Sequence, residues 1–169
     1  MALATRLGLP REQIAALERG GYLHDVGKIG IPDAVLQKPS RLTHDEYETM
    51  KRHTVIGDQL CGGMRSLAPL RPIIRHHHER RDGSGYPDGL AGDDIPLLAQ
   101  IVGIVDVYDA ITTTRPYRPA LSSEHACEEL TREAGRGLHQ QALVAEFLAI
   151  IREGGGIDEA RLPSPATPT

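Results

Sequence analysis

Two cysteines, Cys61 and Cys127, are all that the 169 residues contain, and they form no Cys-x-x-Cys pair. That excludes a thiolate metal knuckle and a disulfide scaffold, and it leaves reduced thiols in a cytoplasmic setting as the expectation. Positive charge is not in excess either. Nineteen Lys and Arg against 23 Asp and Glu give a net charge of −4, which argues against coating duplex nucleic acid by counterion release. A small phosphorylated ligand held by a few arginines remains compatible. There is no long apolar run: the longest, IPLLAQIVGIVDVYDAI, carries two aspartates and is too short for a clean membrane span. The opening MALATRLGLP has no sustained apolar core of the kind that marks a signal peptide. Internal repeats and period-two alternation are also missing, so strands have little support. The length suits one domain with a sizeable core.

What is present is helical periodicity punctuated by Gly and Pro. A first helix is expected to open at Pro10, with Ile14, Leu17 and Gly21 on one face continued by His24 and Asp25. A second begins at Thr43, where Thr43-x-x-Glu46 has the form of a capping box. Its inward stripe reads Tyr47, Met50, His53 or Thr54, Gly57 and Leu60. A third starts near Pro72 and places Ile73 and Ile74 one turn before His77 and His78. The fourth, through LLAQIVGIVDVYDAI, is apolar almost all round and is the expected buried central helix. Two more follow, SSEHACEELTREA capped by Ser122 or Ser123, and HQQALVAEFLAIIRE stopped at Gly154–Gly156. The fold class is all-α.

Several polar residues interrupt these apolar faces. His24 and Asp25 close the first, His53 breaks the second, His77 and His78 end the third, and Asp106 and Asp109 lie one turn apart on the fourth. A buried unpaired carboxylate costs several kcal/mol or stays protonated. A cation removes that cost by compensating carboxylate and imidazole together. Singly, each residue reads as an ordinary core position; four helices presenting His or Asp inward make a constellation. Imidazole and carboxylate without thiolate suit Fe, Mn, Co or Zn, and about six ligands exceed the need of one tetrahedral zinc. Two divalent metals sharing a carboxylate is the economical reading, and such a pair polarises a phosphoryl oxygen and makes water acidic enough to attack it. Lys28, one turn after His24 and Asp25, reaches the same cavity, and Arg115 and Arg118 in TTTRPYR suit phosphate or guanine edges.

HDVGKIGIPD, KRH at 51–53, HHHERRDGSGYP and IVDVYDAITTTRPYR resemble, in order, the motifs of the HD-GYP family, a branch of the HD metal-dependent phosphohydrolases. The resemblance covers about Leu7 to Phe147. It implies an HD-domain helical bundle with a metal site in its centre, spanning residues 1–153 and followed by a flexible tail, 154–169. It implies hydrolysis of cyclic di-GMP, to the linear dinucleotide or to GMP, with two divalent metals, Fe or Mn favoured and Co or Zn compatible. His24, Asp25, His53, His77, His78 and Asp106 match the metal ligands, with Asp25 the bridging carboxylate; His76 is left over. Lys28 matches a lysine that contacts the scissile phosphate, Arg115 and Arg118 match ligand-holding positions, and Gly85, Tyr86 and Pro87 form the GYP loop, with Tyr86 a substrate contact or a loop anchor. Asp109 either orients a ligand from behind or serves a helix end.

In one respect the sequence departs from the family pattern. Members carry an earlier helix with a histidine, and in some a glutamate, that completes the metal site; Met1–Leu9 contains neither residue type. The expectation is weak activity, exposure of Leu7, Ile14 and Leu23, and a tendency to homodimerise. A rival reading is a module that docks on diguanylate cyclase domains or other signalling proteins, and another is a different HD-type nucleotide phosphohydrolase. His44, His125 and His139 read as surface residues, and Arg80, Arg81 and Asp82 as a solvated helix end.

Overall fold

A computed structural model describes residues 1–114 and 119–154. The described residues are helical, with no strand and a single isolated bridge between Asp82 and Ala91. In order they form α1 (Ala2–Arg6), α2 (Arg11–Leu23), a 3-10 turn (Val26–Gly30), α3 (Asp33–Leu36), α4 (His44–Lys51), α5 (His53–Gly62), a 3-10 turn (Arg65–Leu70), α6 (Arg71–His76), a 3-10 turn (Gly92–Asp94), α7 (Leu97–Thr112), α8 (Ser123–Gly135) and α9 (Gln141–Arg152). The all-α expectation holds. No helix among these residues is long and apolar enough to cross a membrane. Arg115, Arg118 and the tail beyond Gly154 lie outside the described residues.

Local chemistry sets the helix starts. The Thr43 hydroxyl accepts from the Glu46 amide at 3.3 Å and the Thr43 amide donates to the Glu46 carboxylate at 2.7 Å, completing the capping box. Ser122 caps α8 by accepting from the His125 amide at 3.2 Å. Pro10 takes the N-cap of α2 rather than its first position, so the helix opens one residue later than expected, at Arg11.

α7 is the central helix. It buries Ala99, Ile101, Val102, Ile104 and Ile111, and its residues join Leu3, Leu17, Ile73, Leu130, Leu143, Val144 and Phe147 in the main core. A smaller cluster, Ala16, Cys61, Leu70 and Ile74, fills the space between α2, α5 and α6. Residues 1–9 are tucked in as well: Leu3 and Ala4 are buried, and Arg6 pairs with Glu146 at 2.7 Å and Glu153 at 2.8 Å on α9. Leu7 and Ile14 pack half-buried on the main core and Leu23 on the smaller one, so the expected exposure of these three is corrected.

The second expected helix is broken. Its pattern runs unbroken from Thr43 to Leu60, but the chain divides it at Arg52 into α4 and α5. The cause is side-chain competition for the ladder carbonyls. The His53 Nδ1–H donates to Met50 O at 2.8 Å and the Thr54 hydroxyl to Lys51 O at 3.0 Å. The re-aimed stripe buries His53, Thr54, Gly57 and Cys61 but leaves Tyr47 and Leu60 about half exposed.

Close backbone approach brings the site elements together. A Cβ on Gly27 would sit 1.9 Å from His53 O and 2.4 Å from the Gly57 amide, and one on Gly103 would sit 2.6 Å from His77 O. Only glycine lets the turn after Asp25 rest on the first turn of α5, and α7 on the segment carrying His77. Gly27→Ala should therefore force the turn off α5, costing about 1–3 kcal/mol as overpacking usually does. Thermal unfolding would record this as a fall of several degrees in Tm, and an unchanged Tm would disprove the close contact.

Candidate metal centre

Three short segments and one long helix aim their polar ends at one point. His24 is the C-cap of α2, and Asp25 follows at the start of the 3-10 turn. His53 opens α5, His77 is the C-cap of α6 with His78 beside it, and Asp106 lies mid-way along α7. One donor atom each from Asp25, His53, His77 and His78 lie within 4.8 Å of one another. Two donors on opposite sides of a cation, at about 2.1–2.2 Å each, would be about 4.4 Å apart, so the set needs little contraction to close on one ion.

The tautomers are fixed from behind. The Nδ1–H of His24 donates to Gly21 O at 2.6 Å, that of His53 to Met50 O at 2.8 Å, and that of His77 to Ile74 O at 3.0 Å. Each ring therefore turns its Nε2 toward the centre, the arrangement expected of metal-ligating histidines. His53 Nε2 lies 3.5 Å from His77 Nε2 and 3.3 Å from Asp25 Oδ1. Burial pushes the pKa of His53 and His77 down and brings that of His78 to about 4, so these rings are neutral near pH 7. For His53 and His77, whose Nδ1 protons are held by carbonyls, no proton then stands between the lone pair and the carboxylate. Asp25 Oδ1 is buried and without a hydrogen-bond partner. An orphan carboxylate oxygen facing bare imidazole nitrogens is what a divalent cation resolves.

The other side of Asp25 is different. Its Oδ2 accepts from Lys28 Nζ at 2.5 Å and lies 3.4 Å from His24 Nε2, which is itself 3.8 Å from Asp106 Oδ1. Burial opposes a charge on His24, but Asp106 and Asp25 outweigh it and raise its pKa to about 10. The same cations hold the Asp25 carboxyl well below its usual range against the effect of burial. One carboxylate thus faces two donor groups, His53 with His77 and His78 through Oδ1, and His24 with Asp106 through Oδ2.

The GYP loop closes the adjoining wall. The Tyr86 ring lies 4.8 Å from His78 and 6.4 Å from His53 between centroids. Burial raises the phenol pKa, with Tyr47 and the carboxylates of Asp106 and Asp25 adding to it. Asp109 is exposed, its carboxylate accepting from the Thr113 hydroxyl at 3.2 Å; no contact among the described residues joins it to the cluster. His76 turns elsewhere, its Nδ1 3.5 Å from Asp88 and 3.8 Å from Glu79. His139 is half-buried beside Glu133 at 3.1 Å rather than on the surface. Arg81 is engaged with Gly92 O and Asp93 rather than solvated.

Two residues had no motif-level reading. Glu79, its side chain 0% exposed, accepts from the amides of Asp88 and Leu90 at 2.8 and 3.0 Å and so fastens the loop. Tyr47 stands against Tyr86 with ring centroids 6.4 Å apart. The only sequence signal for Glu79 was an acidic residue following three histidines. Tyr47 was masked by a periodicity that assigned it inward.

The HD domain family model matches residues 1–141, and the chain belongs to that family. RpfG of Xanthomonas campestris pv. campestris, a cyclic di-GMP phosphodiesterase response regulator, is 48% identical over 136 residues, 79% of this chain and 36% of RpfG. A cyclic di-GMP phosphodiesterase of Thermotoga maritima is 39% identical over 155 residues, 89% of this chain and 41% of that protein. A 3'3'-cGAMP-specific phosphodiesterase of Vibrio cholerae is 37% identical over 148 residues, 86% and 28%. The chain therefore spans well under half the length of these relatives. Bd1817 of Bdellovibrio bacteriovorus, an HDG"Y"P protein, has the same fold, with a TM-score of 0.71 over 89% of this chain and 48% of its own at 24% identity. The HD domain and a His/Asp donor set that could hold an ion together point to divalent-metal binding.

Elemental analysis after equilibration with divalent metal should find at least one ion per chain. Asp25→Ala and His53→Ala should each lower that content while the far-ultraviolet helical signal is retained. Full metal content in both variants would place the ion elsewhere.

Proposed function

We propose that this chain is a metal-dependent phosphodiesterase module that hydrolyses cyclic di-GMP, to the linear dinucleotide or onward to GMP, in the cytoplasm. The observation that carries the reading is the split Asp25 carboxylate, with an orphan Oδ1 before three neutral imidazoles and Oδ2 shared by Lys28 and His24. The family relationship and the cyclic dinucleotide phosphodiesterases among its relatives support it.

Asp25, His53, His77 and His78 would hold one ion, and His24, Asp25 and Asp106 would contribute to a second. Fe or Mn suits this oxygen and nitrogen set, with Co or Zn compatible. When bound, such ions polarise a phosphoryl oxygen and supply an acidified water nucleophile. The protein's own part is positioning. The backbone carbonyls behind His24, His53 and His77 fix ring orientation before any ligand arrives. Lys28, its side chain 38% exposed beside Asp25, has an ammonium free to pivot toward a phosphoryl oxygen as negative charge builds there. Tyr86, kept as a neutral phenol, offers a hydroxyl to the ligand from the loop side. Arg115 and Arg118, which lie outside the described residues, have the side-chain type suited to a second phosphate or a guanine edge.

A second reading, hydrolysis of 3'3'-cGAMP, is favoured by the Vibrio cholerae relative of that specificity. A module that acts by docking on diguanylate cyclase domains, alone or as a homodimer, is the reading left if no turnover exists.

The test is product formation by the metal-loaded chain from cyclic di-GMP and from 3'3'-cGAMP, followed by chromatography. Cyclic di-GMP should be the better substrate. Lys28→Ala should lower kcat by about 10²–10³-fold, the usual loss of one charge-stabilising donor, with metal content intact. The double substitution Arg115→Ala, Arg118→Ala should weaken binding by about 1–3 kcal/mol. No hydrolysis of either dinucleotide at full metal content would refute the phosphodiesterase reading, and faster hydrolysis of 3'3'-cGAMP would replace the substrate.

A further inference from the structure

Tyr47 lies where helical periodicity points it into the core, yet 47% of it is exposed. The break at Arg52 rotates α4 so that the ring meets Tyr86 instead, at 6.4 Å between centroids and an interplanar angle of 82°. Tyr86 in turn lies against His78 at 4.8 Å. A continuous aromatic wall thus runs from the metal donors out to solvent. Lys51, one turn after Tyr47, sets its ammonium over both rings, 5.6 Å from the Tyr47 centroid and 5.7 Å from that of Tyr86, and pairs it with the exposed Glu48 at 2.7 Å, a partner that a base edge would have to share. A cavity of about 200 Å³ opens along this wall, lined among others by Tyr47, Tyr86, His77 and His78. A single exposed tyrosine is unremarkable on any surface. A tyrosine with one edge on the loop that borders the donor cluster, and a cation at its rim, has the composition of a base-stacking platform.

We infer that Tyr47 and Lys51 form a purine subsite, with Tyr47 carrying the π-face of one base of a cyclic dinucleotide and Lys51 meeting that base's edge. The inference rests on the phosphodiesterase reading and deepens it. Guanine turns two acceptors, O6 and N7, toward such a donor, whereas adenine turns one acceptor and an amino donor. An ammonium only donates, so this rim favours guanine. The residues are specificity-determining: they hold the base while the phosphate lies at the donor cluster.

The test uses the metal-loaded full chain and its variants Tyr47→Phe, Tyr47→Leu and Lys51→Met, with cyclic di-GMP, cyclic di-AMP and bis(p-nitrophenyl) phosphate, a diester without purines. Tyr47→Leu keeps apolar bulk but removes the π-face. It should raise KM for cyclic di-GMP about tenfold or more with kcat within a few-fold, in line with the usual weight of one base stack. Tyr47→Phe should keep KM within a few-fold, and hydrolysis of the purine-free diester should be unchanged in both. Lys51→Met should narrow the preference for cyclic di-GMP over cyclic di-AMP. If Tyr47→Leu leaves KM unchanged, or lowers turnover of the purine-free diester equally, Tyr47 is a packing residue and the subsite is wrong. An unchanged preference in Lys51→Met removes the edge contact. A parent chain that at full metal content hydrolyses neither cyclic di-GMP nor 3'3'-cGAMP overturns the phosphodiesterase reading itself, a result read before any variant is compared.

Discussion

The lone pairs of His53 and His77 and a carboxylate oxygen face one another across the centre of this protein with no proton to share, beside the neutral ring of His78. Backbone carbonyls hold the protons of His53 and His77 on the far side of their rings, and burial keeps those rings and His78 neutral. Without a positive charge the arrangement is repulsive, and its desolvated carboxylate oxygen has nothing to bind. The surrounding elements are consistent with that demand. α7 supplies a rigid apolar floor, α5 and α6 end or begin where an imidazole is required, and glycines at 27 and 103 let the backbones close to contact. The fold spends its tightest packing on the positions that set nitrogen directions.

The charge distribution around Asp25 follows from the same geometry. On the Oδ1 side the neighbours are neutral; on the Oδ2 side stand Lys28 and a His24 that burial alone would keep neutral but two carboxylates keep protonated. In the chain without metal, a proton and an ammonium occupy one half of the site and leave the other half vacant of charge. The two halves therefore differ in what a cation must displace. A cation beside His53 and His77 would displace no proton from the nitrogens facing it, whereas one beside His24 and Asp106 would compete with a bound proton.

Much of this was legible in the sequence, because it depended on periodicity and on local caps. The Thr43–Glu46 box, the apolar α7 and the inward histidines are short-range patterns that survive folding. What escaped notice depended on contacts between distant segments. The split at Arg52 arises because His53 and Thr54 turn their side chains back on the preceding carbonyls, which His53 does only in a ring orientation that serves the site. Tyr47 and Leu60 were assigned inward by a periodicity that this split cancels. Glu79 is buried because a loop nine and eleven residues on needs its oxygens, information that no window around His76–Arg81 contains. Leu7, Ile14 and Leu23 were expected bare because the family's earlier helix was taken as their cover; Leu7 and Ile14 instead pack on the main core, to which α1 gives Leu3 and Ala4, and Leu23 packs on the smaller cluster.

The loop from Asp82 to Ala91 is bolted at several points: Glu79 takes the Asp88 and Leu90 amides, Arg75 forks onto Asp88 at 2.7 Å through both nitrogens, and the Tyr86 amide donates to His78 O at 3.2 Å. A segment fastened that way is a wall and not a gate. On the other side of the donors, Lys28 and Asp25 keep about a third of their side chains in water. The surface that this loop turns to the donors is therefore set before any ligand arrives, and a ligand must fit it as it stands rather than shape it on entry.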